Sequence, residues 1–89
     1  MTTPAAIDVR HEPEQSRFVA TVDGMDSMVR YRIDGDVMHV HSTHVPPALE
    51  GRGIAAALTR AALAYADAHQ LRVDPVCSYT AAYLRRQGR

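Results

Sequence analysis

Apolar and polar positions alternate through the first half of the chain and recur at helical spacing in the second. Ile7 to His11 reads Ile-Asp-Val-Arg-His, apolar at Ile7 and Val9, and predicts a first strand. The lead over residues 1–5 is polar and expected to be loose, and Glu12-Pro13-Glu14-Gln15 is expected to turn. Arg17 to Val22 places Phe18, Ala20 and Val22 on one face of a second strand. Asp23-Gly24 then closes a hairpin, because both residues tolerate positive φ. Met28 to Ile33 is a third strand with Val29, Tyr31 and Ile33 on one face. Asp34-Gly35 turns again, and Val37 to Val45 is a fourth strand. Four short strands joined by tight turns form an antiparallel β-meander.

Pro46 and Pro47 stop the sheet, since proline cannot donate to a ladder. A helix starts near Gly53 or Ile54 and runs to about His69. Ile54, Leu58, Ala61, Ala62 and Tyr65 lie on one of its faces, and its alanines favour the helix and a close approach to a sheet. Leu71 to Val76 is a fifth strand, with Pro75 near its end. Ser78 is placed to N-cap a short last helix, Tyr79 to Gln87, which Gly88 closes. The class is α+β: an antiparallel meander of four strands, a central helix, a fifth strand parallel to the fourth through a right-handed crossover, and a short C-terminal helix.

Composition narrows the functions. Eighty-nine residues, 46% of them apolar, predict one small folded domain over residues 1–89. Ten basic and ten acidic residues cancel, so there is no electrostatic footprint for nucleic acid or for an anionic membrane. Every basic residue is arginine. The single cysteine, Cys77, excludes an internal disulfide and fits a reducing compartment. No signal-peptide pattern opens the chain and no apolar run approaches the ~18 residues of a membrane span. The expected location is the cytoplasm.

The chemistry concentrates between the fourth strand and the central helix. Gly51-Arg52-Gly53-Ile54-Ala55-Ala56 opens a helix directly after a strand, which leaves several amides free and aligned with the helix dipole. Such a place binds anions, and glycine lets a ligand approach the backbone. A plain loop before a helix would read the same way. Cys77 sits between a strand and a helix start, where a thiolate is favoured; a small buried thiol is the alternative. His39 and His41 could chelate a metal, but no cysteine or acidic partner stands at a ligand spacing, so no metal is expected. His44 is a candidate general base, imidazole being the side chain best suited to proton transfer near neutral pH. Tyr79 and Tyr83, one helical turn apart, either cover a ligand or pack the last helix down.

The segment Glu50-Gly51-Arg52-Gly53-Ile54-Ala55 resembles the phosphate-cradling turn of the Gcn5-related N-acetyltransferase (GNAT) superfamily, Arg/Gln-x-x-Gly-x-Gly/Ala. Gly53 and Ala55 match its last two positions, and Glu50 stands at the first. The resemblance is closer to a minimal subgroup of roughly a hundred residues, with a strand end His-Thr-x-Val-Pro and a later Cys-x-Tyr. Thr43, Val45 and Pro46 match the first motif and Cys77-Ser78-Tyr79 the second, while Ser42 stands where the subgroup commonly has histidine. The resemblance implies an acetyl-CoA-dependent N-acetyltransferase acting on an unidentified amine. It implies that Val45, Gly51, Arg52, Gly53, Ile54, Ala55, Ala56 and Tyr79 hold coenzyme A. It also implies that Cys77 lies near the CoA sulfur, with His44 or Ser42 taking a proton. The expected partners are acyl-CoA and the amine, and the chain is expected to be a monomer or a weak homodimer. The competing reading is a non-catalytic CoA-binding or protein-interaction module on the same fold.

Overall fold

The structure is a computed structural model that describes residues 7–88; the expected loose lead lies outside them. Strands β1 (Val9–Glu12), β2 (Arg17–Val22), β3 (Met25–Asp34) and β4 (Val37–His44) form an antiparallel meander, followed by helix α1 (Ile54–Ala68), strand β5 (Arg72–Pro75) and helix α2 (Ser78–Arg86). The five strands lie in one sheet in the order β1-β2-β3-β4-β5, and β5 runs parallel to β4. This is the α+β architecture the pattern predicts.

The differences are local and have causes. β1 starts later than its alternation suggests and extends through Glu12, which pairs with Arg17 before Pro13–Gln15 winds into a single 3-10 turn. Asp23 and Gly24 both take positive φ, and β3 begins at Met25 because the two-residue turn consumes nothing more. The second turn is Gly35-Asp36 rather than Asp34-Gly35, because Asp34 stays in the ladder opposite Val37. Cys77, not Ser78, is the N-cap of α2.

The core lies between one face of the sheet and α1. Phe18, Ala20, Val29, Tyr31, Met38 and Val40 meet Ile54, Leu58, Ala62 and Ala66 there, with Leu49 sealing the end nearest the β4–α1 loop. A second apolar contact joins Leu63 of α1 to Tyr83 and Leu84 of α2. Sequence periodicity picks out one stripe on α1; the helix in fact buries two, because α2 packs beside it. The face of the sheet turned away from α1 is polar, yet Val19 on that face is fully buried. Its cross-strand neighbours are Arg10 and Met28, and Arg17 and Arg30 both lean on the Met28 sulfur. Long side chains lying flat take the place of a second helical layer.

Aromatic rings gather where β1, β2, β3 and the end of α1 meet. His11 stacks on Phe18 at 4.2 Å between centroids, meets the edge of Tyr65 at 4.6 Å, and shares a 2.5 Å hydrogen bond with the Tyr31 hydroxyl. Burial lowers the His11 pKa, and nearby His69 lowers it further. The folded state therefore binds this proton less readily than the unfolded chain. The His11 contribution to stability is complete above the ordinary imidazole value of about 6.5 and declines as pH falls below it. Thermal melts across that range should show the decline, and His11→Gln should flatten it. An equal slope in the variant would assign the effect elsewhere.

Candidate functional site

The site begins where β4 stops. Pro46 and Pro47 carry no N–H, so the ladder cannot continue, and Pro47–Leu49 closes into a 3-10 turn held by Leu49 N–H to Pro46 O at 2.8 Å. Gly51 and Gly53 follow with φ of 81° and 80°. This left-handed region suits glycine and bends the chain twice into the start of α1. Gly53 is the N-cap and supplies no side-chain acceptor. Among the described residues, none of the amides of residues 51–56 donates to a backbone or side-chain acceptor; the first amide to do so is that of Ala57, to Gly53 O. Glu50 does not cap the helix.

A second feature opens the sheet beside this turn. Between Arg30 and Tyr31 the β3–β4 register slips by one residue: Tyr31 faces Val40 and Arg30 faces Ser42, leaving His41 as an extra residue in β4. This β-bulge inverts the alternation beyond it. Thr43 comes to lie opposite the buried Val29, on the α1 side, while Ser42 and His44 lie opposite Arg30 and Met28 on the other face. The β4–β5 ladder ends at the same level. Its last pair is Val40 with Pro75, after which the Cys77 N–H bonds Val40 O at 2.8 Å and the chain turns into α2. The strands part there, and Thr43 Oγ1 bridges the parting to Cys77 Sγ at 3.5 Å.

The result is a groove of about 500 Å³ lined by Thr43, His44, Val45, Leu49, Glu50, Gly51, Gly53, Ile54, Ala55, Ala56 and Tyr79. Sequence reasoning names eight of these residues as candidate site positions. Cys77 does not line the groove but touches it through Thr43, and Ser42 turns to the opposite face of the sheet. Arg52 is held away by a 2.8 Å ion pair to Asp23 in the β2–β3 turn, both side chains being at least half exposed. Thr43, Leu49 and Glu50 are additions; Thr43 and Glu50 belong to the quoted motifs, but the orientation of Thr43 depends on the bulge.

The surroundings of Cys77 decide its chemistry. Burial pushes the thiol up. The Thr43 hydroxyl, the Thr80 and Tyr79 amides and the Thr80 hydroxyl more than offset it, and the net direction is down. Of these groups only Thr43 closes a hydrogen bond with the sulfur; the α2 groups fall short of capping geometry. The sulfur is poised toward thiolate at a helix N-terminus.

His39 is paired at 2.7 Å with Asp74 across the β4–β5 ladder, and His41 is exposed in the bulge. Among the described residues, no group of three or more His, Cys, Asp or Glu side chains is arranged to hold a metal ion. Nor is any described helix long and apolar enough to cross a membrane.

The parallel β4–β5 pair thus separates beside a helix start whose amides are undonated. The model of the GCN5-related N-acetyl-transferase family matches residues 17–89. The chain belongs to this family. The match begins at the first residue of β2 and takes in the bulge, the glycine turn and Cys77. Membership in the GCN5-related N-acetyl-transferase family supports acyl transfer as the general chemistry and acetyl-CoA as the usual donor. No curated protein matches the chain.

Proposed function

We propose that this chain is one acyl-CoA-binding domain that transfers an acetyl group from acetyl-CoA to an amine, in the manner of the minimal Cys-x-Tyr subgroup. The observation that carries the reading is the run of undonated amides at residues 51–56, in a segment that lines a groove leading to Cys77. Those amides and the α1 dipole suit a pyrophosphate. The backbone of Val45, beyond the last β4 pair, is available for the amide groups of a pantetheine arm. Ile54, Ala55, Ala56 and Tyr79 supply the apolar wall.

In the transfer the amine lone pair attacks the thioester carbonyl, a C–N bond forms, and the C–S bond breaks with departure of the CoA thiolate. A water takes the amine proton, or His44, which borders the groove although its strand position faces the other side of the sheet. Cys77 offers a covalent route: its thiolate takes the acyl group first, releases CoA thiolate, and leaves when the amine attacks. The lowered thiol pKa and the Thr43 contact favour it.

Mass spectrometry after incubation with acetyl-CoA tests the proposal. Under native conditions the chain should carry CoA, and under denaturing conditions it should carry one acetyl group that Cys77→Ala removes. Turnover retained in Cys77→Ala would make the transfer direct. CoA bound without turnover over a broad amine panel would instead favour the non-catalytic CoA-binding module, and no bound CoA would overturn both CoA-dependent readings.

A further inference from the structure

Thr80 is the third residue of α2, fully buried, and its hydroxyl makes no hydrogen bond of good geometry. A buried hydroxyl without an acceptor is uncommon and costs stability unless something else uses it. This one lies beside the Cys77 sulfur, with the Thr43 hydroxyl reaching the same atom from β4. We propose that Thr80, together with Thr43, is a positioning residue for Cys77: two hydroxyls from separate elements clamp the sulfur in its anionic form at the edge of the groove.

The arrangement makes sense as a clamp for an anion. A neutral thiol is a weak acceptor, and it leaves the Thr80 hydroxyl without a well-formed bond. A thiolate is a charged acceptor, and hydrogen bonds to it are stronger and shorter. Ionisation therefore supplies the partner that Thr80 lacks. Thr43 fixes the sulfur from the side that lines the groove, and Thr80 from the side packed into α2. This purpose rests on the acyl-carrying role of Cys77 given above. The thiolate electron pair forms the new C–S bond to the acyl carbon while the bond to the CoA sulfur breaks. When the amine displaces Cys77, its thiolate returns to both hydroxyls, and the amine proton passes to His44 or solvent.

The test is the pH dependence of alkylation by iodoacetamide, read by intact mass without any CoA; Cys77 is the chain's single cysteine, so the signal has one source. Thr80→Val and Thr43→Val should each move the titration midpoint upward, while Thr80→Ser should keep the native midpoint. A midpoint one pH unit higher lowers the rate below it about tenfold. Among the described residues Ser27 holds the other buried, unpartnered hydroxyl, on β3 opposite Ala20, and Ser27→Ala should leave the titration unmoved. A native midpoint in Thr80→Val overturns the clamp. If Thr80→Val does not fold by circular dichroism, the thiolate ultraviolet absorbance of Thr43→Val decides, and an unmoved midpoint there overturns it too. The two proposals separate cleanly. A shifted titration without an acetyl adduct keeps the clamp and removes the covalent route; an adduct with an unshifted titration does the reverse.

Discussion

With CoA at a hundred times its dissociation constant, the folded chain is expected to gain ~2.7 kcal/mol of stability, and Gly53→Val is expected to erase that gain. In a chain of this length such a gain raises the thermal midpoint by about 10–20 °C, well within the reach of a simple melt. Gly53 is the residue to change because its φ of 80° sets the direction of the first turn of α1. A Cβ there would meet no atom within 4 Å, so the penalty is in the backbone and not in a clash. A left-handed conformation costs an ordinary residue ~1–2 kcal/mol, and a β-branched one tolerates it worst. The chain relieves that strain by rotating the Gly53–Ile54 segment, which turns its amides away from the groove. Gly88→Ala is the matched control. Gly88 also has positive φ and open space around it, but it lies just past the end of α2. That variant should melt lower than the native chain and still show the full response to CoA. A response preserved in Gly53→Val, or missing from the native chain, would sink the assignment of the anion site.

The largest effect on the fold itself is expected at Leu58. It is fully buried in the middle of the stripe that α1 lays on the sheet. Leu→Ala at such a site costs ~2–5 kcal/mol, through lost transfer energy and the cavity left behind. The total stability of a chain this size is only about 4–13 kcal/mol. Leu58→Ala should therefore lower the melting midpoint by at least ~10 °C in the absence of ligand. Arg60→Ala, at an exposed position of the same helix, should change stability by less than ~0.5 kcal/mol. A cost below ~1 kcal/mol at Leu58 would mean that the α1–sheet core is not what holds this small chain together.

The elements with strong local chemistry were legible in the sequence. The Asp23-Gly24 turn, the Pro-Pro stop, the alanine-rich stripe from Ile54 to Tyr65 and the two glycines before it each state a backbone preference that nothing else in the fold contests. The undonated amides of the glycine turn could be read from the sequence because glycine and alanine offer no side-chain acceptor. What escaped was set by register and tertiary packing. The slip between Arg30 and Tyr31 carries no sequence mark, so the strand position of Thr43 could be found but not the direction in which its hydroxyl points. The second buried stripe of α1 at Leu63 depends on α2 docking beside it. The pairing of Arg52 with Asp23 joins positions 29 residues apart, and a basic residue beside a phosphate turn invites a different assignment until that contact is seen. Thr80 had one usable signal: it stands three residues after the N-cap, the place from which a helix start reaches back to its capping atom.

The single extra residue at His41 acts as a phase shifter for everything downstream. In a strand, inside and outside are assigned by counting parity, and one inserted position swaps the two for the remainder of the run. Up to Val40 the count gives β4 its apolar underside; after His41 it delivers a hydroxyl to the sulfur and an imidazole to the far surface. Length in this short stretch is therefore as much a part of the chemistry as residue identity: the same side chains, spelled with one letter fewer, would present the wrong ones to the cysteine.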